Sequence, residues 1–182
     1  SFLVSTSAPA GGSVDANFDP SQVRWLGLEA AVPAGSTGTY NGPLYLDQVR
    51  FKAPPGAYAP PANQRYSFDR TVDGFTPSAD SGNQAFTNLS RTTTAPSNAT
   101  GCLALDVHLV GTNSSYDGGE VSVDVRKFAP EFVSTPINLQ GRRVSAWVHC
   151  PAGLRGPESN PNYVRLGCKD VNWKSFYGTL EH

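Results

Sequence analysis

The chain has no methionine, only three cysteines, and no apolar run long enough to cross a bilayer as a helix. Charge of one sign is missing too: 14 basic and 15 acidic residues give a formal net charge of −1, and neither sign forms a long run. A chain that binds nucleic acid or an anionic membrane surface carries a basic patch, so neither partner is expected. The opening "SFLVSTSAPA" lacks the basic start and long apolar stretch of a secretory signal peptide. Absent as well are a G-x-S-x-G elbow, an H-E-x-x-H pair, a Walker loop, a Rossmann glycine fingerprint and paired Cys/His zinc spacing, which leaves the common catalytic motifs unrepresented. Cys102, Cys150 and Cys168 cannot all pair within the chain. Cys150 and Cys168 close two neighbouring strand candidates, so a bridge would join those two; otherwise the cysteines are small buried hydrophobes.

What the chain does have is turn chemistry and strand formers. At 182 residues it is long enough for one well-buried core, and one domain is the default. Eighteen Gly and 15 Pro, with abundant Ser, Thr and Val and only 16% charged residues, suit an all-β protein of short strands joined by turns. Strand candidates follow one another at 22–30, 44–51, 65–69, 102–110, 120–128, 142–150 and 163–169, mostly alternating and bounded by Gly, Pro, Asn or Ser. The pattern predicts a two-sheet antiparallel β-sandwich. In "LALDVHL", Leu103, Leu105, Val107 and Leu109 share one face and Ala104, Asp106 and His108 the other.

Three further strands carry an unusual second face. Ser145, Trp147 and His149 oppose Val144, Ala146 and Val148; Tyr163, Arg165 and Lys169 oppose Val164, Leu166 and Cys168; Trp25 and Glu29 oppose Leu26 and Leu28. Were these strands in one sheet, Trp25, Trp147, His149, Tyr163 and Arg165 would form a surface of rings with polar groups between them. Such a surface suits a sugar, because a pyranose has apolar C–H faces that stack on an aromatic ring and a rim of hydroxyls that seek hydrogen-bond partners. The competing reading is that each Trp is core or sheet-covering. Acidic Asp117, Glu120 and Asp124 fall in a turn and the adjoining strand, where they read as turn and surface acids with nothing tying two of them to one cleft.

The stretches "YSFDRTVDGFTPS", "GCLALDVHL", "INLQGRRVSAWVHCPAGL" and "VRLGCKDVNWKSFYG" resemble the first part of the β-jelly-roll carbohydrate-binding modules attached to plant-polysaccharide-degrading enzymes. "FDPSQVRWLGLEAAVPAGSTGTYNGPLYLDQVRF" resembles the last part of the same module, so the two parts stand in reversed order, circularly permuted or cut across a tandem repeat. The resemblance implies a jelly roll in which residues 1–53 supply the C-terminal part, 54–64 a Pro-rich linker and 65–179 the N-terminal part, together one domain; the final "LEH", 180–182, reads as a tag scar. Either one chain completes its own sheets as a monomer, or two exchange parts as a swapped dimer. It further implies a non-catalytic, secreted module that targets a parent glycoside hydrolase to a β-linked polysaccharide such as a β-glucan, xyloglucan or mannan. The implied sugar contacts are Trp25, Trp147, His149, Tyr163 and Arg165, with Trp173 and Tyr177 one element later as a wall. A structural Ca2+ near the paired termini would fall to Asp47 and Asp69, with Asp106 nearby. Two other classes stay open: a structural spacer or adhesion domain, which the Asn-x-Ser/Thr triplets at Asn88, Asn98 and Asn113 would suit, and a polysaccharide lyase or hydrolase, hinted at only by Arg165 beside Tyr163.

Overall fold

The computed structural model describes residues 1–33, 35, 38–51, 64–77, 85–97, 100–111, 117–125, 136–154 and 163–179. All of the linker expected at 54–64 except Gln64, and the tag scar expected at 180–182, lie outside them. Among the described residues every regular element is a strand: β1 (Phe2–Leu3), β2 (Ser13–Val14), β3 (Val23–Val32), β4 (Thr39–Phe51), β5 (Gln64–Tyr66), β6 (Thr76–Pro77), β7 (Phe86–Thr92), β8 (Cys102–Val110), β9 (Asp117–Asp124), β10 (Arg143–His149), β11 (Tyr163–Asp170) and β12 (Ser175–Tyr177).

These strands pair antiparallel into two six-stranded sheets. One runs β1-β10-β4-β8-β7, with β5 also on β4; the other runs β2-β12-β11-β3-β9-β6. The all-β antiparallel sandwich read from the composition is therefore what the chain forms. Strands from before the Pro-rich stretch stand inside both sheets: β3 lies between β11 and β9, and β4 between β10 and β8.

Alternation decides what lies between the sheets. Leu103, Leu105, Val107 and Leu109 of β8 meet Leu26, Leu28 and Ala30 of β3, Val121 and Val123 of β9, and Leu44 and Leu46 of β4 in one core. β4 holds its apolar side inward over its whole length only by absorbing one extra residue. Its pairing with β10 slips between Ser145 and Trp147, where Gln48 takes φ +53°, and the bulge returns Val49 and Phe51 to the inside after Leu44 and Leu46. Phe176 of β12 closes one end, its ring 5.5 Å from that of Phe2 and 5.6 Å from that of Phe18. Cys150 follows β10 in one sheet and Cys168 lies in β11 of the other, and no disulfide joins them.

At the centre of the β3-containing sheet, Gly27 pairs directly with Gly167. A Cβ on Gly27 would lie 2.4 Å from the Val121 carbonyl oxygen and 2.8 Å from the Ser122 Cβ, so β9 approaches more closely there than any side chain permits. Gly27→Ala is expected to destabilise the fold by about 1–3 kcal/mol, read from the midpoint of urea unfolding, because backbone has to move to admit the methyl group.

Candidate functional site

The outer face of the β2-β12-β11-β3-β9-β6 sheet gathers Trp25, Tyr163, Arg165, Trp173 and Tyr177. The registers β11 with β3 and β3 with β9 set its rows. Arg165 stands opposite Glu29, which stands opposite Glu120; Lys169 stands opposite Trp25, which stands opposite Asp124; Tyr177 stands opposite Gly167. Because side chains alternate, all of these point away from the core that Leu26, Leu28, Val164 and Cys168 fill.

Every charge in those rows has a partner of opposite sign. The Arg165 Nε donates to Glu29 Oε2, and its Nη1 donates to Ser13 Oγ at 3.1 Å. Lys169 Nζ lies 2.6 Å from Glu120 Oε2, to which the Tyr177 hydroxyl also donates at 3.2 Å. Arg24 Nε donates to Asp124 Oδ2 at 3.1 Å. The acids are buried, Glu29 at 6% and Glu120 at 7% exposure, so an unmatched partner here would be costly. Burial alone would lower the Arg165 guanidinium, but the hydrogen bond and charge of Glu29 outweigh it and raise its pKa. Burial, reinforced by the Glu29 carboxylate, pushes the Tyr163 phenol up to about 12. Burial first, then Glu120 and Glu29, also raises Tyr177.

The rings form two stacks on this face. Trp173 lies on Trp25 with centroids 3.9 Å apart and planes 24° from parallel, while the Arg24 guanidinium sits 4.3 Å from the Trp25 centroid. The Lys169 ammonium is 5.7 Å from the Trp173 ring. Arg165 lies 3.8 Å over Tyr177, whose ring in turn lies where a Gly167 side chain would be. Trp25 and Tyr163 are consequently buried at 9% and 8% exposure, whereas Trp173 keeps 58% of its surface exposed.

Trp147 and His149 are placed elsewhere. β10 pairs with β4, not with β11 or β3, so both residues belong to the other sheet. Trp147 is 63% exposed, and the His149 ring lies 5.6 Å from that of Tyr45. A cavity of about 210 Å3 opens between β10 and β11, with Leu28, Val148, Val164 and Leu166 in its walls, and Trp147 and Arg165 both border it. Glu120 corrects the reading as a surface acid, and Asp124 with it, since both are buried and ion-paired. Glu120 and Asp124 share the alternation phase of Ser122, but only the β3–β9 register shows that this phase faces the aromatic rows.

The acids expected to hold calcium each accept hydrogen bonds from protein donors as they are placed. Asp47 accepts from the Gln48 N–H at 2.7 Å through Oδ1, and from the Ser97 N–H and Oγ at 3.0 and 2.9 Å through Oδ2. Asp69 Oδ1 accepts from the Thr100 N–H at 3.1 Å. Asp106 is exposed on the outer face of β8, bonded to Asn88 Nδ2 at 2.9 Å and four positions away from Asp47 in the β4 register. Among the described residues no group of three or more His, Cys, Asp or Glu gathers to hold a metal. A chelator is expected to leave the melting temperature unchanged, and a fall of several degrees in a thermal melt would restore calcium to these acids.

No family model matches the chain, and no curated protein or solved structure matches it either.

The raised phenols give the face a pH signature. The Tyr163 phenol holds its proton more tightly folded, near 12, than at its ordinary value of 10.0, so its contribution is full below pH 10 and is lost as pH rises through 12. Urea midpoints are expected to fall across that window and to fall less in Tyr163→Phe; an identical decline in the variant would assign the loss to other groups.

Proposed function

We propose that this protein is a non-catalytic carbohydrate-binding module whose ligand lies on the outer face of the β2-β12-β11-β3-β9-β6 sheet. The observation that carries the reading is the gathering, on one face, of Trp25, Tyr163, Arg165, Trp173 and Tyr177 with Lys169, Glu29 and Glu120 between them. The exposed Trp173 indole offers the apolar C–H side of a sugar a surface, and the Lys169 ammonium 5.7 Å from its ring offers the hydroxyls a donor. A module of this kind works by tethering: it raises the concentration of a linked catalytic domain on the polymer without new chemistry of its own. The ligand class is a β-linked polysaccharide, with β-glucan, xyloglucan and mannan as the polymers to test, and the setting is extracellular.

One arrangement favours a hydrolytic second reading. Glu29 and Glu120 are direct cross-strand partners, so two carboxyl side chains rise from neighbouring positions on one face, and a pair of carboxylates is what hydrolysis of a glycosidic bond uses. Each carboxylate is already held by a cation, however, and Glu120 by the Tyr177 hydroxyl as well, so neither is presented to a substrate. A lyase base is disfavoured on this face because burial keeps the Tyr163 phenol protonated far above neutral pH.

Native affinity electrophoresis against β-glucans, xyloglucan, xylan and mannans tests the proposal. Retardation in at least one polymer, with no release of reducing sugar, is the expected outcome, and Trp147→Ala on the other sheet is expected to migrate as the wild type does. Uniform mobility throughout the panel would favour a spacer or adhesion domain; product release would favour the Glu29–Glu120 pair.

A further inference from the structure

Four residues, 171–174, connect β11 to β12, and a bond between Asp170 and Lys174 narrows the hairpin loop to three, 171–173, of which Trp173 is the last. Two backbone bonds close it: the Asp170 N–H donates to the Lys174 carbonyl at 3.0 Å, and the Trp173 N–H donates to the Asp170 carbonyl at 3.1 Å. Loops of this length run a type I turn into one left-handed residue, a place glycine ordinarily takes because it has no Cβ to clash. Here the residue is Trp173, at φ +62°. A bulky side chain in that region is an outlier that persists only where its surroundings over-determine it.

The surroundings do so from two sides. Asp170 is fully buried, and its carboxylate is a three-way clamp: Oδ1 accepts from the N–H groups of Asn172 at 2.8 Å and Lys174 at 3.0 Å, and Oδ2 accepts from the Asp19 N–H at 2.9 Å. The clamp spans the turn and fastens it to the strand-entry segment at Asp19, whose own Oδ1 accepts from Ser21. From beneath, Trp25 supports the indole at 3.9 Å. The left-handed position is not used to bury the indole, which stays 58% exposed. It turns the largest apolar side chain outward beside Lys169, at the one place in the hairpin where glycine would cost least.

We propose that Trp173 is the single stacking platform of this face and that Asp170 is the positioning residue that holds it. This rests on the polysaccharide reading above and narrows its ligand. Trp25 and Tyr163 are buried, and Tyr177 is covered by Arg165, so among the described residues of this face one indole plane is open, and it reads one pyranose ring of a separate, soluble chain. A crystalline polysaccharide surface needs several coplanar exposed rings, which the described residues of this face do not offer.

The test is titration calorimetry of the wild type, Trp173→Gly, Trp173→Phe and Asp170→Asn with the soluble polymer that retards the wild type, alongside thermal melts and insoluble cellulose pull-down. Trp173→Gly is expected to lose at least about tenfold in affinity while melting within about 4 °C of the wild type, since glycine enters the left-handed region without strain. Trp173→Phe retains most of the affinity. Asp170→Asn weakens binding, and the double variant with Trp173→Gly binds no more weakly than Trp173→Gly alone, the signature of a residue acting through Trp173. Asp170→Ser, a smaller acceptor, is carried in parallel should the amide variant not fold. Wild-type affinity in Trp173→Gly, a large fall in its melting temperature, additive loss in the double variant, or capture on crystalline cellulose would each overturn the assignment while leaving polysaccharide binding in place. A wild type that binds no polymer would remove both.

Discussion

The backbone ladders of β3 and β4 are the constraint on which the rest of the structure depends. β3 is hydrogen-bonded on both sides, to β11 and β9, and β4 on both sides, to β10 and β8. Backbone N–H and C=O groups on a buried strand have to be paired, because water cannot reach them once the two sheets close. Without these two strands each sheet would present two raw internal edges and half of its core would lack a facing side. The segment up to Phe51 and the segment from Gln64 onward for this reason share both sheets.

The outer face of the β3-containing sheet inherits its geometry from the same ladders. The β3 registers align Arg165, Glu29 and Glu120 in one row and Lys169, Trp25 and Asp124 in another, so that buried acids meet cations across strands and not along them. Buried charges on a sheet surface are tolerable only when both members of each pair are present and further donors complete them; here Ser13 and the Tyr177 hydroxyl do so. Between the rows lie Gly27 and Gly167, whose missing side chains let β9 approach and let Tyr177 lie down on the sheet. The face is tied by ion pairs where it is charged and open where Trp173 stands.

A buried carboxylate at the end of β11 holds the turn that carries Trp173. Asp170 satisfies three backbone donors at once, and in doing so it makes a left-handed tryptophan affordable in a turn that would otherwise take glycine. Local strain and global support are thus separated: the strain sits in one residue of a tight hairpin, and the support comes from a segment more than a hundred residues earlier in the chain.

Much of this was legible from residues alone. The alternation in β8 placed Leu103, Leu105, Val107 and Leu109 inside correctly, and the strand candidates at 102–110 and 163–169 match β8 and β11 closely, because a period of two depends only on the local pleat. β7 escaped notice: Asn88 at φ +49° breaks its pairing between Thr87 and Ser90, and the alternation breaks with it. Alternation also showed which side chains share a face of each strand, hence Trp25 with Glu29 and Tyr163 with Arg165. It could not say which strands share a sheet, since that is settled by long-range pairing among strands with equally apolar inner faces. Pairing with β4 took Trp147 and His149 to the opposite side of the sandwich, pairing with β3 brought Glu120 and Asp124 to the rings, and a hairpin closed by Asp170 turned Trp173 outward. Residue types and strand phase were properties of the sequence; the partners of each charge and the exposure of each ring were decided by the tertiary structure, because both depend on strand neighbours distant in the chain.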